Sequence, residues 1–115
     1  MVDTGKKAPP IVVVTKNADG IQTRTVVIDT VNRPIRLPAM DIPDGMSVLI
    51  KSWPAVFNVG TIFVAESKEK SLDLNYVTPL RPGEFISYQV KDASSIWISG
   101  TAPGDRVSIT AEMIR

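Results

Sequence analysis

Apolar and polar positions alternate along this chain in short runs, and no run is long. The clearest stands near the C-terminus, where Val107, Ile109, Ala111 and Met113 alternate strictly with Arg106, Ser108, Thr110 and Glu112. A period of two puts successive side chains on opposite faces of a strand, so this run reads as a half-buried β-strand. Met46, Val48 and Ile50 oppose Ser47, Leu49, Lys51 and Trp53 in the same way, and Pro54 ends that run. Val56-Phe57-Asn58-Val59 leads through Gly60 into residues 61–65, where Ile62 and Val64 face one side and Phe63 the other, as in a central strand. Leu72, Leu74 and Tyr76 alternate before Thr78-Pro79. After the turn Arg81-Pro82-Gly83, Ile86, Tyr88 and Val90 oppose Phe85, Ser87 and Gln89, and further on Ile96 and Ile98 oppose Trp97.

The N-terminal part adds a hairpin signal. Residues 11–15 are a β-branched run, Asn17-Ala18-Asp19-Gly20 is a turn, and residues 21–28 form a second β-rich run. Prolines 34, 38 and 43 forbid a long central strand nearby, which leaves Ile35-Arg36-Leu37 as a short edge strand. Residues 66–71 are charged at almost every position and read as a solvated loop or one helical turn, with Glu66 and Lys70 four apart. Residues 1–10 carry Lys6, Lys7 and Pro9-Pro10 with almost nothing to bury, so they are expected to form an extended arm, lying on its own domain or reaching a partner. The expectation is an all-β, single-domain β-sandwich or jelly roll of about seven to nine short antiparallel strands over residues 11–115, preceded by that arm.

Composition narrows the chemistry. The chain of 115 residues has no cysteine and no histidine. It therefore lacks disulfides, thiolate ligands, a cysteine nucleophile and the usual general base near neutral pH, and a cupin-like metal site has no histidines to build it. Asp3, Asp19, Asp29, Asp41, Asp44, Asp73, Asp92 and Asp105 are the candidates for an all-carboxylate metal site, but most fall at predicted turns, where Asp is favoured for geometry alone. The predicted strands carry too few carboxylates to nominate a glycosidase pair. The glycines of residues 100–104 lack the lysine and helix of a phosphate loop. No catalytic residue, metal or cofactor is assigned, and the chain is expected not to be an enzyme.

A formal charge of +1 argues against nucleic acid as partner, and no apolar run approaches the ~18 residues needed to cross a bilayer. The seven aromatic residues are scattered about one per predicted strand, which predicts that they fill the core. Trp53 and Trp97 are set apart, because each lies opposite the most apolar face of its strand. Together with Lys6, Lys7, Pro9 and Pro10 they are the candidate partner contacts.

From residue 46 to residue 113 the succession of elements resembles that of small β domains among virion proteins of tailed bacteriophages. The shared features are the apolar strand Val48-Leu49-Ile50, then Asn58-Val59-Gly60-Thr61-Ile62-Phe63-Val64, Leu80-Arg81-Pro82-Gly83-Glu84, Ile96-Trp97-Ile98 and Gly104-Asp105-Arg106-Val107. The resemblance covers a little over half the chain. It implies a virion location and a binding role, most directly as a capsid decoration protein that docks as a homo-oligomer, a trimer by preference, on the major capsid protein or another virion protein. The alternative it implies is a neck, tail or receptor-binding component with a carbohydrate-binding-like β-sandwich.

Overall fold

A computed structural model describes residues 20–113, the side chain of Met113 excepted. The expected arm, with Lys6, Lys7, Pro9 and Pro10, and the first limb of the expected hairpin lie outside the described residues. Within them stand eight strands: β1 (Gly20–Val27), β2 (Ile35–Arg36), β3 (Val48–Ser52), β4 (Ile62–Ala65), β5 (Thr78–Leu80), β6 (Phe85–Tyr88), β7 (Trp97–Gly100) and β8 (Arg106–Met113). Two short 3-10 turns, Lys70–Leu72 and Ala93–Ser95, interrupt the connections.

The strands form two antiparallel four-stranded sheets, in the orders β1-β8-β3-β6 and β2-β7-β4-β5. Consecutive strands thus tend to cross from one sheet to the other, and the first and last lie side by side. This order is that of a jelly roll, in which two Greek keys wrap into a double sheet. The short run at Ile35-Arg36 is indeed an edge strand. Pro79 also occupies an edge, in β5, where a missing N–H interrupts no interior ladder.

The core is aliphatic. Val48 and Ile50 from β3, Ile62 and Val64 from β4, Ile98 from β7, and Val107 and Ile109 from β8 are all essentially inaccessible, with Ile28, Leu37 and Met40 closing the ends. The alternation in β3 and β8 therefore points inward as expected. In contrast, none of the seven aromatic side chains belongs to the fully buried core. Phe57, Tyr76 and Phe85 are exposed, Trp53, Phe63 and Trp97 lie on outer faces, and Tyr88 only packs against the core's margin. The prediction that aromatics fill the interior is thus corrected, and the reason is spatial. Phe63, Phe85 and Trp97 alternate with Ile62 and Val64, Ile86, and Ile98 on their own strands, so the period of two turns these rings outward, while Phe57 and Tyr76 stand in turns. The alternation at Leu72, Leu74 and Tyr76 is a second correction. These residues lie in the turns before β5, and all three are exposed.

The jelly roll brings its loops together at two ends. One end gathers the connections β1–β2, β3–β4, β5–β6 and β7–β8. Backbone bonds from Asn32 N to Gly100 O, from Gly104 N to Ile28 O and from Thr101 N to Thr61 O tie the first, second and fourth together. Gly83, in the left-handed region at φ +87° as the Pro-Gly turn predicts, donates to Ser52 O and Trp53 O and so ties in the third.

The opposite end is closed by residues 37–47 packing on residues 89–96. Ile42 N donates to Lys91 O, and Ala93 N to Met40 O. Asp92 organises that closure. Its Oδ1 accepts from Ser94 N at 2.9 Å, capping the 3-10 turn, and from Met40 N at 3.1 Å. Hydrogen bonds from Ser94, then that from Met40 and the charge of Arg36, hold the Asp92 carboxyl below its ordinary value of 3.8. A carboxyl depressed on folding adds stability above its unfolded value, and that contribution fades as pH falls through the folded one. Asp92→Asn is therefore expected to flatten the acid limb of the stability curve below about pH 4, read as the thermal midpoint against pH. An unchanged acid limb would refute the assignment.

Candidate functional site

The stretch between β3 and β4 is tied down by buried hydrogen bonds and yet exposes three apolar side chains. Pro54 starts it, and Pro54 O accepts from both Phe57 N and Asn58 N, which coils residues 54–58 into a single turn. Asn58 then points inward and is 1% exposed. Its Nδ2 donates to Ser52 Oγ at 2.9 Å and to Arg106 O at 2.8 Å, while its Oδ1 accepts from Arg106 N at 2.7 Å. One amide side chain thus stands in for a ladder partner beside the start of β8.

Asp105, equally buried, performs the complementary task from the β7–β8 loop. Its Oδ1 accepts from Val59 N at 3.0 Å and its Oδ2 from Gly60 N at 2.8 Å. Gly60 is needed because there is no space for more. A Cβ there would stand 2.4 Å from Thr101 Oγ1, 2.9 Å from Ala102 Cβ and 3.0 Å from Asp105 Oδ2. Gly60→Ala is expected to cost about 1–3 kcal/mol through overpacking. Equilibrium urea unfolding reads this cost, and a loss below about 0.5 kcal/mol would mean the loop relaxes freely.

Locking Asn58 inward throws its neighbours outward. Val56, Phe57 and Val59 are 81%, 56% and 80% exposed. Phe57 is steadied by Trp53, whose ring it meets edge-on at a centroid distance of 5.2 Å. Trp53 is itself fixed: its Nε1 donates to Ser108 Oγ at 2.7 Å, and the Arg106 guanidinium sits 5.0 Å above its ring. Of the sequence candidates, Trp53 thus lies at this loop as a half-buried support. Trp97 lies on the outer face of the other sheet, with Arg36 at 5.9 Å over its ring, and the structure does not bring the two tryptophans together. Sequence reasoning missed Val56, Phe57 and Val59 by taking them as the lead into β4. The available signal was the Pro54…Gly60 bracket, which cuts them out of any strand.

A second apolar feature lies at the opposite end, where the edge strands β5 and β6 leave the two sheets open. A cleft of about 500 Å³ has a floor of Val64, Ala65 and Ile96 and walls of Tyr76, Tyr88 and Val90, with Glu66, Thr78 and Ser95 at its margin. Leu72 and Leu74, 59% and 75% exposed, precede Tyr76 in the chain. Lys70 spans the adjoining turn, its Nζ donating to Glu66 Oε1 and lying 5.3 Å from the Tyr76 ring centroid. The hydrogen bond and charge of Lys70 hold Glu66 below the usual carboxylate range. Both groups face solvent, so the pair adds little to stability.

Among the described residues no group of three or more carboxylates converges on a point, and no helix is long and apolar enough to cross a membrane. Comparison with protein-family models, curated proteins and solved structures finds no match for the chain.

Proposed function

We propose that this chain is a structural protein of a tailed-bacteriophage virion, a decoration protein that binds the assembled head as a symmetric oligomer and stabilises it. The observation that carries the reading is the placement of apolar side chains. Phe57, Val56 and Val59 are displayed on a loop that a buried Asn58–Asp105 network holds rigid, whereas the core itself takes no aromatic residue. Rigid apolar display suits docking, because little conformational freedom remains to be lost on binding. The resemblance of residues 46–113 to virion domains supplies the assembly. On this reading the protein works by mass action: a ligand that binds only the assembled shell shifts the equilibrium toward the shell. No side chain acts as acid, base or nucleophile, and neither nucleic acid nor membrane is a partner.

The test is co-sedimentation of the purified protein with purified phage heads lacking it. Saturable binding at a fixed ratio to the major capsid protein, with a raised thermal midpoint of the heads, is the expected result. Absence of binding, together with antibody labelling confined to the neck or tail, would overturn the decoration role in favour of the neck or tail reading.

A further inference from the structure

Among the described residues the first sheet ends on a strand whose outer edge has no ladder partner. β1 stands at the edge of the order β1-β8-β3-β6 and pairs residue for residue with β8 from Gly20 to Val27, without a bulge. An edge of that kind presents a row of N–H and C=O groups, which natural sheets shorten, bend, break with proline or cover. The other three edges are kept short. β2 has two residues between Pro34 and Pro38, β5 has three and contains Pro79, and β6 has four. β1 has eight residues and no proline. Arg24 is its one charged residue, and that guanidinium folds back to donate to Thr23 O.

We propose that residues 11–15 cover this edge as a fifth strand of the first sheet, in a hairpin with β1, and that the hairpin carries residues 1–10 to the end of the molecule where the Phe57 loop stands. Three observations commit the edge to this occupant. The first is ladder chemistry. Ile11-Val12-Val13-Val14-Thr15 is β-branched at every position and keeps a backbone N–H at each, as a paired strand requires. The second is the connection. Lys16-Asn17-Ala18-Asp19 joins that run to Gly20, the first residue of β1, and Asn and Asp are turn formers. Closing so short a loop within one chain costs far less than immobilising a second molecule, so the strand comes from the same copy.

The third is side-chain fit. Ile21 and Val27 are 67% and 50% exposed on the outer face of β1, and Val26 packs against the core margin on the inner one. A neighbouring strand that is apolar on both faces covers both. Direction then follows from topology. β1 runs from the end closed by residues 37–47, where Gln22 Nε2 donates to Asp41 O at 3.0 Å, to the loop-rich end, where Val27 stands opposite Arg106. An antiparallel partner runs the other way, so Ile11 lies beside residues 25–27 and Pro10 leaves the sheet at the loop-rich end. Asn58 grips Arg106 at that same end. Lys6, Lys7, Pro9 and Pro10 are thereby gathered on the side of the molecule that displays Phe57, whether or not the chain docks on a head.

Amide hydrogen exchange on the full chain tests the pairing, because alternate N–H groups of β1 point to β8 and the others to its outer edge. In the wild type both sets are expected to exchange slowly. Val13→Pro removes a ladder donor from the covering strand. It is expected to speed the edge-facing set by about tenfold or more and to leave the β8-facing set unchanged. Val13→Thr keeps the branch and the N–H and is expected to match wild type. Edge-facing amides that exchange equally fast in wild type and Val13→Pro would overturn the proposal. So would edge protection that disappears on dilution together with a fall in the mass read by light scattering, since the strand would then belong to another copy.

The direction has its own readout. The chain has no cysteine, so Ala8→Cys supplies a single thiol for a nitroxide label. The amide resonances of Ile28, Asn32 and Gly104, at the loop-rich end, are expected to broaden more than those of Met40, Ile42 and Lys91 at the other. Equal broadening, or the reverse order, would overturn the delivery of residues 1–10 to the Phe57 end.

Discussion

Asp105→Ala is expected to be the most destabilising single side-chain truncation in the loop-rich end, costing about 3–5 kcal/mol. The carboxylate is 1% exposed and accepts from two backbone N–H groups, those of Val59 and Gly60. Bonds to a charged acceptor are worth about 1.5–3 kcal/mol each, and alanine leaves both donors without their side-chain partner. Some of that cost is returned because a charge no longer has to be buried, which keeps the figure below the sum of the two bonds at their strongest. A domain of this size has roughly 5–15 kcal/mol in hand, so the variant is expected to fold with a much lower urea midpoint and an unchanged slope. Asp105→Asn retains one acceptor and turns an NH2 toward the other donor, and it is expected to fall between wild type and alanine. A loss below about 1 kcal/mol for Asp105→Ala would show that the loop stands without the carboxylate.

The strands were legible in the sequence because most have one buried face, and a half-buried strand writes a period of two into the chain. Val107, Ile109 and Ala111 could be assigned inward by counting, and so could Val48, Ile50, Ile62, Val64 and Ile98. The two-sheet architecture followed from strand number and turn spacing. The pairing order did not, because alternation fixes which face is buried and says nothing of which strand lies next. That β1 pairs along its whole length with β8, at the other end of the chain, has no local signature.

The aromatic residues misled for a related reason. One ring per strand looks like core composition, but Phe63, Phe85 and Trp97 stand at the positions that alternate with the inward Ile62, Val64, Ile86 and Ile98, so the count that fixes the core turns them outward. Leu72, Leu74 and Tyr76 show the same failure locally: their spacing is that of a strand, yet the 3-10 turn Lys70–Leu72 and the Asn75 N bond to Asp73 Oδ1 turn the chain before pairing can begin.

The motifs carry a further lesson. Asn58-Val59-Gly60 and Gly104-Asp105-Arg106 stand more than forty residues apart in the chain and read there as separate elements of one succession, with the candidate contacts placed at the two tryptophans and the arm. Folded, they are one device. Asn58 holds Arg106, Asp105 holds Val59 and Gly60, and the result of that locking is the outward display of Phe57 and its neighbours. Scaffold and proposed contact are therefore the same stretch. A substitution in the buried network should then alter the exposed loop without touching it.

Asn58→Leu makes that coupling measurable. Leucine keeps the branched skeleton and removes the polar groups, so no cavity opens, and its bulkier methyls add an overpacking cost to the lost bonds. Arg106 N loses its acceptor and Ser52 Oγ loses a donor, whereas Arg106 O still accepts from Trp53 N at 3.1 Å. Two groups orphaned at about 1–3 kcal/mol apiece give an expected loss of about 2–6 kcal/mol. The two sites share one loop, so their costs should not add. Once Asn58 is lost the loop is no longer presented to Asp105, and the Asn58→Leu/Asp105→Ala double variant is expected to be less destabilised than the sum of the singles by more than about 1 kcal/mol. Amide hydrogen exchange supplies the local reading: the N–H groups of Val59 and Gly60 should lose protection in Asn58→Leu beyond the loss shared by the core strands, because their shield is the fixed loop and not the sheet. Strict additivity, with uniform loss of protection across the molecule, would mean that Asn58 stabilises the fold as a whole and does not position the loop.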